Sequence, residues 1–110
     1  MSNYWQKKIC LVTGASAGLG LAIARTLASH RAIVLLNART IGPLRQISEL
    51  LQSTGSDAVA LPGDVTSQTD VDSLAKEIQN RYGRLDLLCN CAGRSMRGSI
   101  LETSVEDFQK

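Results

Sequence analysis

The stretch Lys8-Ile9-Cys10-Leu11-Val12-Thr13-Gly14-Ala15-Ser16-Ala17-Gly18-Leu19-Gly20 decides how this 110-residue chain folds. Lys8 to Thr13 is a short apolar run ended by Gly14, the pattern of a strand buried on both faces. From Leu19 onward, Leu19, Ala22, Ile23, Leu27 and Ala28 recur at helical intervals, which predicts an amphipathic helix closed by His30-Arg31. The turn between them reads Gly-x-x-x-Gly-x-Gly. A glycine leaving the strand allows a sharp turn, one at the helix start lets an anion approach exposed N–H groups, and a third lets helix and strand pack closely. Strand before and helix after make this a phosphate-binding turn. The spacing differs from the general G-x-G-x-x-G fingerprint. Nor is it a Walker A loop, because Leu21 follows Gly20 where a Lys-Ser/Thr pair is required, and nucleoside triphosphate hydrolysis loses its support.

Working outward, the chain repeats the same alternation. Ala32 to Leu36 is a second strand, and Leu44, Ile47, Leu50 and Leu51 form a second helical stripe with Pro43 in its first turn and Gly55 past its end. Asp57 to Leu61 is a third strand, broken by Pro62-Gly63. Ser67 with Asp70 marks a helix start, and Val71, Leu74, Ile78 and Tyr82 supply its buried stripe up to Gly83. Leu85 to Asn90 is the fourth strand, expected at an edge of the sheet. After it come a loop over Ala92 to Glu102 and a capping pattern, Thr103-Ser104-Val105-Glu106, that opens a last helix. The order β-α-β-α-β-α-β-α specifies a parallel α/β sheet. With that last helix barely begun at Lys110, the expectation is the first part of a larger sheet.

Composition narrows the classes further. The chain has 12 Lys+Arg against 10 Asp+Glu, and the basic residues are spread out, so no nucleic-acid surface is expected. A membrane span needs roughly 18 consecutive apolar residues, and the longest apolar run here is Ala32 to Leu36. The N-terminal charges have no apolar segment behind them, so no secretory signal is expected. Cys10, Cys89 and Cys91 are an odd set within apolar runs, which reads as reduced, buried thiols in a reducing, cytoplasmic compartment. Cys89-x-Cys91 with a distant His30 lacks the ligand count for zinc. His30 itself reads as a helix-end or solvated residue rather than a base.

Three motifs in these contexts, Thr13-Gly14-x-x-x-Gly18-x-Gly20, Asp64-Val65 and Asn90-Cys91-Ala92-Gly93, resemble the short-chain dehydrogenase/reductase family from about Lys8 to Lys110. The resemblance implies a Rossmann-like parallel sheet, cut after about four strands, with residues 1–110 as one partial dinucleotide-binding domain. It implies that Gly14, Ser16, Gly18, Leu19 and Gly20 line the pyrophosphate and ribose, with Thr13 bracing the loop. Asp64 would accept from the adenine amino group and the Val65 N–H would meet the ring. Asn90, Ala92 and Gly93 would pass beneath the riboses. The family usually carries a second Asn where this chain has Cys91, and a thiol cannot make the amide's two-way hydrogen bonds.

The second strand ends Leu36-Asn37-Ala38-Arg39-Thr40, where a carboxylate would select NAD by binding the ribose 2′-OH. Ala38 stands there instead, and Arg39 offers a planar cation to a 2′-phosphate, so NADP is expected over NAD. The family's proton donor, a Tyr assisted by Lys and Ser, normally lies downstream of this segment. Tyr4-x-x-x-Lys8 matches the spacing but sits at the wrong end of the first strand, and no residue in 1–110 is expected to be catalytic. Two readings follow. One is the cofactor-binding half of an NADP(H)-dependent oxidoreductase that reduces a carbonyl or oxidises a secondary alcohol, homo-oligomeric when complete. The other is a non-catalytic nucleotide-binding or assembly module, or an inert truncated product.

Overall fold

The computed structural model describes residues 4–91. Their elements run β1 (Ile9–Thr13), α1 (Gly18–Ser29), β2 (Ile33–Leu36), α2 (Ile41–Ser53), β3 (Asp57–Ala60), α3 (Gln68–Tyr82) and β4 (Leu87–Asn90). All strand pairs are parallel, in the order β3-β2-β1-β4. The alternation read from the sequence is therefore the fold as far as Cys91. The loop after it and the last helix, expected from Thr103, lie outside the described residues.

Strand parity sorts the core into two layers. Cys10, Val12, Val34, Leu36 and Ala58 face α1 and α2, packing with Ala24, Leu27, Leu44 and Leu51. Ile9, Leu11 and Leu35 face the other way, against Val71, Leu74 and Ile78 of α3. Every residue of β1 is buried, because it lies inside the sheet with helices on both sides. β3 and β4 depart from the expectation of two buried faces. Val59, Ala60, Leu87, Leu88 and Cys89 are only half-buried, since each of these strands has one neighbour among the described residues. For the same reason Cys89 and Cys91 are half-buried thiols, and only Cys10 is fully enclosed.

Two stripe residues also point away from the core. Leu19 is 69% and Leu50 54% exposed. α1 buries Gly20, Ala24, Leu27 and Ala28, and α2 buries Leu44, Ser48 and Leu51. Each exposed leucine is one residue, about 100° of helix, from a buried position.

Helix ends follow local chemistry. The Ser67 hydroxyl accepts from Asp70 N, and Gly83 ends α3 at φ 73°. α1 ends differently, on Arg31 at φ 66°, with Arg31 N donating to Ala28 O and Ala32 N to Leu27 O. This is a Schellman closure built on a residue other than glycine. At the entry to β4, Asp86 clasps β1: its Oδ2 accepts from Ile9 N at 2.7 Å and its N–H donates to Ile9 O at 2.8 Å. Arg84 Nε donates to the same Oδ2 at 3.0 Å. The ladder with β1 starts one residue later, with Leu87 paired to Cys10, rather than at Leu85.

Candidate functional site

The chain leaves β1 toward β2 and β3 on one side and returns to β4 on the other, so the C-terminal end of β1 is a topological switch point, where open α/β sheets hold ligands. The glycine turn sits there. Gly14 takes φ 62° and Gly18 φ 56°, both in the left-handed region. A Cβ on Gly20 would stand 2.1 Å from Gly14 O and 2.8 Å from Gly14 C, so this glycine lets α1 lie directly on the turn. A Cβ on Gly18 would meet nothing within 4 Å. Ala17 caps α1 without a side-chain hydrogen bond, and no acidic residue occupies the first turn. Among the described residues no side chain caps the first N–H groups of α1, which stand at the positive end of the helix, a ready place for an anion.

Beside the turn lies a cleft of about 340 Å³, bounded by Gly14 and Ser16, by Asn37 to Thr40 after β2, and by Gly63 to Thr66 after β3. Arg39 is exposed at this cleft, Ser16 and Asp64 are partly exposed, and Val65 is buried. Asp64 Oδ1 accepts from Thr66 Oγ1 at 2.6 Å and Thr66 N at 2.9 Å. These two bonds, and then the nearby Arg39 charge, hold the Asp64 carboxyl below its usual value. Among the described residues, Asp64 Oδ2 accepts no hydrogen bond and remains available to an outside donor.

Thr13 ties the end of β1 to the end of β4. Its hydroxyl reaches β4, lying 3.2 Å from Asn90 Oδ1 and 3.4 Å from Cys89 O, and it accepts from Cys91 N at 3.0 Å. Ala92 and Gly93 lie outside the described residues. Of the remaining expected site residues, the fold brings Gly14, Ser16, Arg39, Asp64 and Val65 to one cleft, with Gly18, Leu19 and Gly20 at the adjoining helix start.

Two residues here went unread in the sequence. Asn37, 1% exposed, donates through Nδ2 to Leu61 O at 2.9 Å and Gly63 O at 3.3 Å. Asp70 was legible only as a helix-start residue, yet its Oδ2 accepts from Asp64 N at 2.8 Å. The available signal for Asn37 was a polar residue directly after an apolar strand, a buried position that demands partners.

The sequence profile described as short chain dehydrogenase matches residues 8–110. This chain belongs to the short-chain dehydrogenase family. A fatty acyl-CoA reductase of Acinetobacter baylyi is 37% identical over 105 residues, covering 94% of this chain and 36% of that protein. The chain thus spans about a third of the length of the curated relatives it matches first. Among solved structures, an actinorhodin polyketide ketoreductase variant with NADPH superposes at TM-score 0.85 with 26% identity, over 97% of this chain and 49% of its own. A short-chain dehydrogenase/reductase from Burkholderia phymatum with NAD superposes at TM-score 0.73 with 27% identity, over 80% of this chain and 31% of its own. Family neighbours thus carry either dinucleotide. The short-chain dehydrogenase glycine turn of this chain fits such a group on its own geometry, through open space at Gly18 and a helix start that, among the described residues, no side chain caps.

Proposed function

We propose that this chain is the cofactor-binding half of an NADP(H)-dependent oxidoreductase that interconverts a carbonyl and a secondary alcohol. The observation that carries the cofactor choice is the end of β2: Ala38 offers no carboxylate to a ribose 2′-OH, and the next residue, Arg39, is an exposed guanidinium on the cleft. A planar, permanently charged fork suits a 2′-phosphate, which carries charge that a 2′-hydroxyl lacks.

In this reading the N–H groups at the start of α1 hold the pyrophosphate, Ser16 and Arg39 meet the adenosine ribose and its phosphate, and Asp64 Oδ2 accepts from the adenine amino group while Val65 N–H meets the ring. Thr13 keeps Asn90 and Cys91 in register beneath the second ribose, with Ala92 and Gly93 continuing that floor. A nicotinamide dinucleotide bound there gives or takes the hydride. The carbonyl substrate, the proton donor and a homo-oligomeric assembly belong to the complete protein. A reducing, cytoplasmic setting suits the free thiols Cys10, Cys89 and Cys91. Among the described residues no helix is long and apolar enough to cross a membrane.

The test is a fluorescence titration with NADPH and NADH. The wild type is expected to bind NADPH more tightly, and Arg39→Asp to reverse the order. An unchanged ratio in the variant removes Arg39 from the cofactor argument.

A further inference from the structure

Asn37 joins the two loops that bound the cleft. Its backbone O accepts from Ala15 N in the glycine turn at 2.9 Å, and its backbone N donates to Val12 O at 2.9 Å. Its side-chain amide donates to both Leu61 O and Gly63 O, on either side of Pro62 and just before Asp64. The neighbouring backbone repeats the tie, with Gly63 N donating to Ala38 O at 3.0 Å. At 1% exposure Asn37 has no solvent to satisfy it, and Nδ2 spends its two donors on these two carbonyls. The Asp64 loop is held at its other end by Asp70 Oδ2. A loop fixed this way keeps the Asp64 carboxylate at a set distance from the glycine turn.

We propose that Asn37 is a positioning residue: it locks the Asp64 loop to the glycine turn, so that the adenine-recognising and phosphate-recognising groups are presented as one preformed surface. This rests on the dinucleotide reading above and adds a residue that acts through the loops it joins. Preformed geometry raises affinity by removing the ordering cost at binding.

The experiment uses adenosine carrying 2′- and 5′-phosphates as the probe, titrated by calorimetry into wild type, Asn37→Ala and Gln52→Ala, with thermal midpoints measured in parallel. Gln52 Nε2 also donates to a carbonyl of the same segment, Ala58 O at 2.6 Å, but away from the cleft. It therefore controls for loss of stability alone. Asn37→Ala is expected to bind the probe about tenfold more weakly, and Gln52→Ala within about twofold of wild type, at comparable midpoints. If Asn37→Ala does not fold, amide exchange on the wild type decides the matter. Ala15 and Gly63 are expected to gain protection together on adding the probe, and protection of Gly63 without Ala15 overturns the proposal. Equal affinities for the two variants also overturn it, while leaving the dinucleotide reading intact. A wild type that binds no probe overturns both.

Discussion

Replacing Gly20 with alanine tests the packing that brings α1 onto the glycine turn. The added Cβ would lie 2.1 Å from Gly14 O, 2.8 Å from Gly14 C and 3.2 Å from Ala15 Cα. All three are backbone atoms, and Cβ contacts below 3.0 Å essentially do not occur. Helix and turn must therefore separate by about 1 Å, or the turn must rebuild, a distortion at the upper end of the 1–3 kcal/mol range for overpacking, about 3 kcal/mol. Alanine is the better helix former by about 1 kcal/mol, which leaves a net destabilisation of about 2 kcal/mol. For a domain of this size that lowers the melting temperature by about 8–16 °C. The matched control is Gly42→Ala in the first turn of α2, where a Cβ meets nothing within 4 Å. There the same substitution is expected to stabilise by a few tenths of a kcal/mol, up to about 1 kcal/mol. The assay is thermal and urea unfolding followed by circular dichroism. A Gly20→Ala midpoint equal to or above wild type would refute the close-packing argument, whatever happens to ligand binding.

Other perturbations address the rest of the fold. Arg31 holds the left-handed position after α1 at φ 66°, a conformation that costs a non-glycine residue about 1–2 kcal/mol; Arg31→Gly should raise the urea midpoint, and a lowered midpoint would show that the arginine side chain outweighs the strain. Burial pushes the Asp86 carboxyl up, but the Ile9 N–H and the Arg84 guanidinium outweigh it and bring the group below its ordinary 3.8. A depressed acid stabilises the fold above its unfolded value and loses that contribution as pH falls through the folded one. The melting temperature of Asp86→Asn should therefore fall less steeply than wild type below about pH 4, and parallel curves would remove the clasp from the acid response. Burial, with Cys89 and Asp86 nearby, pushes the Cys10 thiol up to about 11. At neutral pH it should react with a thiol reagent only at the global unfolding rate, while Cys91 labels in the native state; fast modification of Cys10, read by mass spectrometry, would contradict the enclosed β1.

The sequence carried the local grammar of this protein. Apolar runs bounded by glycine, Pro43 in a first turn, Ser67 with Asp70, and Gly55 and Gly83 after helices are signals that act within a few residues, so element order and parallel topology were legible, and so was the glycine turn. Arg39 and Ala38 were legible as a pair because their meaning depends on their distance from that turn. What the chain could not show locally was phase and partnership. Leu19 and Leu50 fit helical stripes, yet the rotation of each helix is set by contacts such as Gly20 on Gly14 O, which leave both leucines outside. Thr13 bonds to β4 across 76 to 78 positions of chain, and Asn37 to Leu61 and Gly63 across 24 and 26. Hydrogen bonds of that span exist only once the sheet order β3-β2-β1-β4 is formed. Residue type and spacing thus determined which elements form and that a glycine turn joins the first strand to the first helix. The tertiary structure decided which buried polar side chains hold those loops in place, because a buried donor is satisfied by whatever carbonyl the fold brings to it.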